Sequence, residues 1–407
     1  MKKIIYIVSV FPSTSATFVL NEMLRLKERG YQVTILSLRH PVNEVIQTGT
    51  ENFKSIYYLP HIKQRKKDIF KLLSKNMQFF ISHPVMYIKN LFNACKFKSS
   101  KMLYDFFRAV YIVPMINSLN IKHVHAQFAH GPTNIAYFIK QLTNQKYSFT
   151  CHAVDLFVQN TPRILEEKIK NSEFVATISS FNVNFIEERL LDKNLIEKVN
   201  VVRCGIDLEK ITPNNNNSNA RNVVKILSIG RFVEKKGFVY LVDALYKLKV
   251  RGLSFNCQLI GDGTLFNEIK KKIKELKLTN DIELLGKLDS KKIGEYLSDS
   301  DIFVLPCITA KDGDMDGIPV SIMEAMAYKV PVISTRISGI PELIINGESG
   351  LLVEEKDSEM LAEALEKLIL NKRLRLILGK SGRRKIEEEY NLDQNVNKLI
   401  ELFERVV

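Results

Sequence analysis

The 407-residue chain carries 59 lysines and arginines against 45 acids, a formal charge of +14, with 45% apolar and 26% charged residues. That balance excludes a disordered or collagen-like chain, and no uninterrupted run of 18 apolar residues is present to predict a spanning helix. Five cysteines at 95, 151, 204, 257 and 307, odd in number and without metal-like spacing, suit reduced thiols in a cytosolic protein. The length predicts two or three domains of roughly 150 residues each. In chain order, the opening MKKIIYIVSVF reads as a first buried strand, because no small-residue cleavage site follows it. Strand Lys3–Val10, helix Thr17–Arg29 and strand Gln32–Leu38 come first. A basic helical insertion follows, then strand His123–Gln127, helix Pro132–Leu142, strands Tyr147–Cys151 and Phe174–Ile178, helix Asn182–Leu191 and strand Val199–Arg203. Repeated βαβ units predict a parallel sheet covered on both faces. The run Thr212-Pro-Asn-Asn-Asn-Asn-Ser-Asn219 is polar and turn-prone, a natural domain boundary at 212–221. A second alternating series places strands at Val223–Ile229, Phe255–Ile260, Ile282–Leu285, Ile302–Leu305, Val330–Ser334 and Gly350–Val353. From Ser358 to Val407 the pattern is helical throughout.

The most informative stretch is Asp316-Gly-Ile-Pro-Val-Ser-Ile-Met-Glu324-Ala-Met-Ala. Pro319 suits a first helical turn, which puts Asp316 just before a helix N-terminus and Glu324 one to two turns inside. Free amides and the positive dipole end favour a phosphate there. Carboxylates beside it accept hydrogen bonds from sugar hydroxyls, so the chemistry predicted is that of a nucleotide sugar. A calcium-loop reading of Asp312-Gly-Asp314-Met-Asp316 fails on register, since its twelfth position is Met323. A second segment, Gly230-Arg231-Phe-Val-Glu-Lys-Lys236-Gly237, follows a strand and opens a helix. Arg231 and Lys236 can reach one dianionic group from that loop, at the edge where open α/β sheets bind ligands. The +14 charge predicts an anionic partner. It is densest between Lys63 and Lys101, where ten basic residues face Asp68 alone, interleaved with apolar residues from Ile69 to Phe92. That pattern suits helices with an apolar face and a basic rim, able to rest on anionic lipid. No aromatic-interleaved basic motif of a nucleic-acid reader is present.

Together these segments resemble glycosyltransferase family 4, the retaining transferases with the GT-B fold. The acid-x7-acid motif of that family appears as Asp316 to Glu324, and its G-R-x4-K-G loop as Gly230 to Gly237. FPSTSATF (Phe11–Phe18), HVHAQFA (His123–Ala129), TCHAVDLF (Thr150–Phe157), CGID (Cys204–Asp207), GDG (Gly261–Gly263), VLPC (Val304–Cys307) and SGIPEL (Ser338–Leu343) fall in the family's order. The phrasing looks most like transferases building bacterial exopolysaccharide or lipopolysaccharide. The resemblance implies two doubly wound Rossmann-like domains facing a central cleft. Their extents would be an acceptor-side domain over 1–211, joined by a C-terminal helix at about 392–407, and a nucleotide-sugar domain over 222–391.

The family's roles carry over onto matching positions. Arg231 and Lys236 would neutralise the donor diphosphate without a metal or other cofactor, the nucleotide diphosphate sugar being a co-substrate. Glu324 would bind ribose hydroxyls, and Asp316, shorter than the usual glutamate, would contact the donor sugar. His152 would lie near the reacting sugar, with Asp155 orienting it or binding acceptor. Gly230, Gly317, Ile318 and Val320 would line the donor, and Gly261 and Gly263 would form a base-side loop. Ser13, Thr14 and Thr17 would supply hydroxyls, while His125 and Gln127 are either structural or acceptor-facing. Glu342 is either a helix cap or a donor contact. The expected activity is retaining transfer of a hexose to a lipid-linked glycan, by a cytoplasmic protein peripheral at the inner face of the membrane. Two other readings share the phosphate site: a nucleotide-sugar epimerase of the same fold, and a catalytically decayed sugar-nucleotide-binding module.

Overall fold

The computed structural model describes residues 2–13, 16–42, 48–213 and 223–406. Thr14 and most of the Asn-rich 212–221 run therefore lie outside the described residues. The chain forms two compact units. The first comprises Met1–Ile178, Asn182–Val202 and Asn395–Val407; the second comprises Ser179–Phe181 and Arg203–Gln394.

In the first unit the elements are β1 (Lys3–Val8), α1 (Thr17–Glu28), β2 (Gln32–Ser37), β3 (Ile56–Tyr58), α2 (Asp68–Ser82), α3 (Pro84–Lys96) and α4 (Ser100–Ser118). They continue with β4 (His123–Gln127), α5 (Gly131–Thr143), β5 (Tyr147–Cys151), α6 (Val154–Phe157), α7 (Pro162–Asn171), β6 (Val175–Thr177), α8 (Ser180–Arg189) and β7 (Val199–Val201). The seven strands are parallel, in the order β3-β2-β1-β4-β5-β6-β7. Strands covered on both faces read as continuous apolar runs, and in KIIYIV every residue after Lys3 is buried.

The second unit runs β8 (Val224–Ile229), α9 (Phe238–Val250), β9 (Phe255–Ile260), α10 (Phe266–Glu275), β10 (Ile282–Gly286), α11 (Ser290–Asp299), β11 (Ile302–Val304) and α12 (Val320–Ala327). Then come β12 (Val332–Thr335), α13 (Ile340–Leu343), β13 (Leu351–Val353), α14 (Ser358–Leu370), α15 (Lys372–Glu389) and the first turn of α16 (Leu392–Glu404), whose remainder belongs to the first unit. Its six strands are parallel in the order β10-β9-β8-β11-β12-β13.

The unit boundary falls at Val202/Arg203, ahead of the Asn-rich run. The reason is packing: the Ile206 side chain belongs to the second core, and Ile206 exchanges backbone hydrogen bonds with Tyr390 and Leu392 at 2.8 and 3.1 Å. The stretch from Ser358, predicted helical throughout with a final helix from about 392, consists of three helices. Asn371 caps α15 through Leu374 N at 2.9 Å, and Asn391 accepts from Asp393 N at 2.9 Å, the usual work of an N-cap side chain. From Asn395 onward α16 belongs to the first unit, where the Phe403 ring packs against Tyr31, His123, His125 and Phe174. Among the described residues no helix is long and apolar enough to cross a membrane.

Strand order reverses direction between β1 and β4 in the first unit and between β8 and β11 in the second. In doubly wound sheets the two crossovers diverge at that point and leave a crevice beyond the strands' C-terminal ends. Each unit therefore has one place where its sheet invites a ligand.

Candidate active site

In the second unit the crevice is built from the loop after β8, the loop after β11 and the start of α12. Gly261 explains how two of these loops fit together: it has φ +140°, and a Cβ there would stand 1.9 Å from the Gly230 carbonyl oxygen. A Cβ on Gly263 would likewise meet Phe232 backbone oxygen at 2.5 Å. These glycines permit backbone packing, and Gly230 N donates to Ile260 O and Phe232 N to Asp262 O, each at 3.0 Å. The structure thus gives Gly261 and Gly263 a packing reason for being glycine, independent of any nucleotide base. Gly237 is equally constrained, with φ +67° and a Pro306 carbonyl 1.8 Å from where its Cβ would be.

That close approach delivers Lys236 to Asp316. Lys236 Nζ lies 2.7 Å from Asp316 Oδ2, and Lys235 Nζ lies 3.4 Å from Oδ1 of the same carboxylate and 3.1 Å from Asp314. Cys307 Sγ, in the loop after β11, donates to Asp316 at 3.5 Å. Burial by itself would raise the Asp316 pKa, but the two ammonium groups outweigh it and hold the carboxyl at about 2. For Lys236 burial opposes the charge, and Asp316 more than restores it, leaving the pKa raised. Lys236 and Asp316, expected on different parts of the donor, are partners here. An ammonium carries three N–H donors, so the pairing leaves Lys236 with hydrogen-bonding capacity. Arg231 is exposed, and its guanidinium has no ion-pair partner among the described residues.

The α12 terminus lies next to this cluster in sequence and is anchored to β8. Pro319 sits at the N-cap with φ −65°, one position before the first helical residue. Ser321 Oγ donates to Ile229 O at 3.0 Å, fixing the helix start at the C-terminal end of β8. Gly317 and Ile318 are buried and Val320 half-buried. Among the described residues the amides of Ile318, Val320 and Ser321 donate to no protein acceptor. Glu324 lies further along the helix, half-buried, and its carboxylate has no hydrogen-bond or ion-pair partner among the described residues. Burial pushes its pKa up to about 7. A helix tip with unclaimed donors, a free guanidinium and an unpartnered carboxylate is the arrangement a phosphate-and-hydroxyl ligand would satisfy.

Glu342, by contrast, is fully engaged. Its carboxylate accepts from Ser180 N at 3.0 Å and Phe181 N at 2.8 Å, and pairs with Arg203 at 3.2 Å. It acts as a cap.

In the first unit the crevice lies beyond β1 and β4. A cavity of about 250 Å³ opens there, lined by Ser9, Ser13, Arg39 and His130 among apolar side chains including Phe11, Leu20 and Phe128. Ser9 Oγ meets His130 Nε2 at 3.1 Å, and burial lowers the His130 pKa to about 4. Neither Arg39 nor His130 belongs to a sequence motif; their only signal is position, two residues past β2 and one before α5. Ser13 and Thr17 lie at the loop and helix start beside them, half-buried.

His152 is buried just past β5, its ring flanked by Phe18 and Phe128 at centroid distances of 4.9 and 4.8 Å. Its orientation follows from a chain of hydrogen bonds. Tyr6 OH and Gln127 Nε2 both donate to Glu22 Oε1, at 2.9 and 2.7 Å. That fixes the Gln127 amide, whose Oε1 faces His152 Nε2 at 2.9 Å. A carbonyl oxygen only accepts, so His152 carries its proton on Nε2. Burial lowers its pKa to about 4, against a smaller opposing pull from Asp155, so the ring is neutral at pH 7. Glu22, half-buried on α1, has its own pKa raised by desolvation to about 7. It escaped sequence reading because a lone acid in a helix carries no motif.

Asp155 and His125, for each of which an acceptor contact is one of two alternatives, are held within the first unit. Asp155 is fully buried, and its carboxylate is consumed by the amides of Ala129, His152 and Ala153 at 2.8 to 3.2 Å. His125 is also fully buried, with both ring nitrogens held by Ser148 and Thr150 at 2.8 and 3.0 Å. Both shape the strand ends. Gln127, 1% exposed, positions His152 through the bond already described.

Residues 211–385 match the family model described as glycosyl transferases group 1. The amylovoran biosynthesis glycosyltransferase AmsK of Erwinia amylovora is 31% identical over 421 residues, covering 99% of this chain and all of AmsK. Among solved structures, a glycosyltransferase from Rickettsia africae superposes with a TM-score of 0.73 at 22% identity, covering 100% of this chain and 98% of that one. Anabaena HepE, solved with UDP and glucose, gives 0.74 at 14% identity with 100% of both chains covered. Two parallel Rossmann-like sheets and these neighbours establish the GT-B fold. With a relative this similar along its whole length, the chain belongs to the group 1 glycosyltransferases.

Proposed function

We propose that this protein is a retaining glycosyltransferase that moves a hexose from a nucleotide diphosphate sugar to a lipid-linked glycan during cell-surface polysaccharide synthesis. The observation carrying the reading is the set of unclaimed groups in the second unit's crevice: the α12 amides, the Arg231 guanidinium and the Glu324 carboxylate. In this reading the diphosphate takes the amides, Arg231 and the spare donors of Lys236, and Glu324 accepts from ribose hydroxyls. Asp316 holds Lys236 in place and contacts the donor sugar from its edge. Fixed donors of this kind stabilise charge as the leaving group departs, so no metal is needed in the step.

Retention follows from a front-face displacement. The C1–O bond to the nucleotide diphosphate breaks, the acceptor oxygen bonds to C1 on the same face, and its proton passes to the departing phosphate oxygen. Neutral His152 donates from Nε2 to Gln127, and we assign its ring to steadying the sugar beside the reacting centre. Support for the polysaccharide context comes from the name of AmsK, an amylovoran biosynthesis enzyme. The Lys63–Lys101 region supports work at the cytoplasmic face of an anionic membrane.

The test pairs donor binding with product analysis. A panel of nucleotide diphosphate hexoses should include one that raises the melting temperature, since ligand binding stabilises by mass action. That donor plus membrane-extracted glycan lipid should give a product whose new linkage keeps the donor's anomeric configuration by NMR. An inverted linkage overturns the retaining mechanism. Rearranged sugar without acceptor identifies an epimerase, and donor binding with no turnover identifies a decayed binding module.

A further inference from the structure

Helices α2 and α3 each carry two apolar faces. On α2, Leu72, Asn76 and Phe79 point inward, and the Asn76 side chain donates to Phe107 O on α4 at 3.0 Å. On α3, Asn90 and Ala94 are buried, and Asn90 reaches Gln141 O on α5 at 3.4 Å. These contacts account for one side of each helix. At about 100° per residue, the opposite side of α2 is Phe70, Leu73, Met77 and Ile81, and that of α3 is Val85, Ile88 and Phe92. All seven are exposed, with Phe70 at 74%, Ile81 at 71%, Val85 at 81% and Phe92 at 62%. No core residue covers them, and water-facing apolar surface of this extent marks a contact site.

The charge around the patch selects its partner. Lys66, Lys67, Lys71, Lys75, Lys89 and Lys96 are all exposed on these helices and their approach. The one acid of the segment, Asp68, is buried, accepting from His61 N at 3.1 Å and pairing with Lys71 alone among these lysines, at 3.7 Å. A second copy docking face to face would set lysine rim against lysine rim. An anionic bilayer satisfies both features, with acyl chains for the apolar side chains and headgroups for the ammonium groups.

We propose that the α2–α3 hairpin lies in the interfacial layer of an anionic bilayer, with Phe70, Leu73, Met77, Ile81, Val85, Ile88 and Phe92 entering the acyl region and the lysines bound at the headgroups. The inference deepens the membrane-side reading above, for it names an inserted face where charge alone predicts only adsorption. Insertion and adsorption differ in salt sensitivity, because screening weakens exposed charge pairs and leaves buried apolar contact intact.

The experiment is vesicle co-sedimentation with equal parts phosphatidylglycerol and phosphatidylcholine, at low and at molar salt. Wild type should bind, and a substantial fraction should survive the salt wash. The variant Phe70→Ser, Leu73→Ser, Ile81→Ser should bind at least tenfold more weakly in both. The variant Lys71→Gln, Lys75→Gln, Lys89→Gln should lose low-salt affinity while keeping a salt-resistant fraction. Equal binding by the serine variant and wild type overturns the proposal, as does complete release of wild type by salt. So does a wild type that ignores vesicles and instead dimerises through this face. The donor-induced thermal shift is measured in parallel on each variant. A normal shift with lost sedimentation isolates the surface from the donor site; sedimentation without any shift in wild type refutes the transferase reading and leaves the surface standing.

Discussion

Glu324 makes a test of site design that needs no substrate. The unfolded chain ionises this side chain near 4.5, whereas the folded protein holds its proton until about 7. Between those values the native state binds more protons than the unfolded one, so stability is lost as pH rises through the folded pKa. At 1.36 kcal/mol per pH unit the gap amounts to at most about 3 kcal/mol. Residual solvent contact at the half-buried side chain brings the expected effect to about 1–3 kcal/mol. Glu324→Gln keeps the shape and removes the titration. The comparison is the melting temperature of the variant minus that of wild type, followed from pH 5 to pH 8.5, so that every other titrating group, Glu22 included, cancels. The difference should grow in the variant's favour by roughly 2–12 °C across that range, at about 2–4 °C per kcal/mol for a unit of this size. The same variant should lose most of the donor-induced shift, because an amide cannot replace a carboxylate that accepts from two hydroxyls. Parallel melting curves for the two proteins, differing by less than about 1 °C in pH response, would refute the claim that α12 holds an uncompensated carboxylate.

Arg231→Ala should abolish transfer and the donor-induced shift while leaving the melting temperature within about 1 °C, as expected for an exposed side chain. Lys236→Ala should lose both as well and also cost up to about 3 kcal/mol in denaturant titrations, because Asp316 keeps only the more distant Lys235. Adding Asp316→Asn should recover much of that stability without recovering donor binding. Glu22→Leu frees the Gln127 amide to turn and should lower kcat at least tenfold with little change in donor KM. Glu22→Gln, which can still accept from Tyr6 and Gln127, should stay within about threefold of wild type, and an equal loss in both variants would show that charge, not orientation, matters. Gly237→Ala and Gly261→Ala should each cost more than about 4 kcal/mol, read as loss of soluble folded protein, since no side chain can yield where a Cβ meets a carbonyl oxygen.

The alternation of apolar runs with helical periods was enough to reveal two parallel sheets, because strands buried on both faces have little freedom in composition. The G-R-x4-K-G loop and the acid pair were legible for a related reason: backbone geometry and charge are demanded at fixed spacing. What escaped was whatever depends on a partner distant in sequence. Lys235 has no place in the loop motif, yet it is 6% exposed and ties Asp314 to Asp316. Asn371 divides the run ahead of the expected final helix into α14 and α15 through a capping bond that periodicity does not register.

The GDG loop shows a limit of another kind. Its glycines matched part of a nucleotide fingerprint, while their tightest neighbours are Gly230 and Phe232 of the adjacent loop. A glycine records close approach but not what approaches. The same ambiguity governs apolar residues in α2 and α3, where Leu72 and Phe70 look alike in sequence and face opposite ways in the fold. Sequence shows that a side chain must leave water; only the fold shows whether its own core receives it. For Leu72 the core does, and for Phe70 nothing in the unit does, which is why the outward face of the hairpin calls for a partner outside the protein.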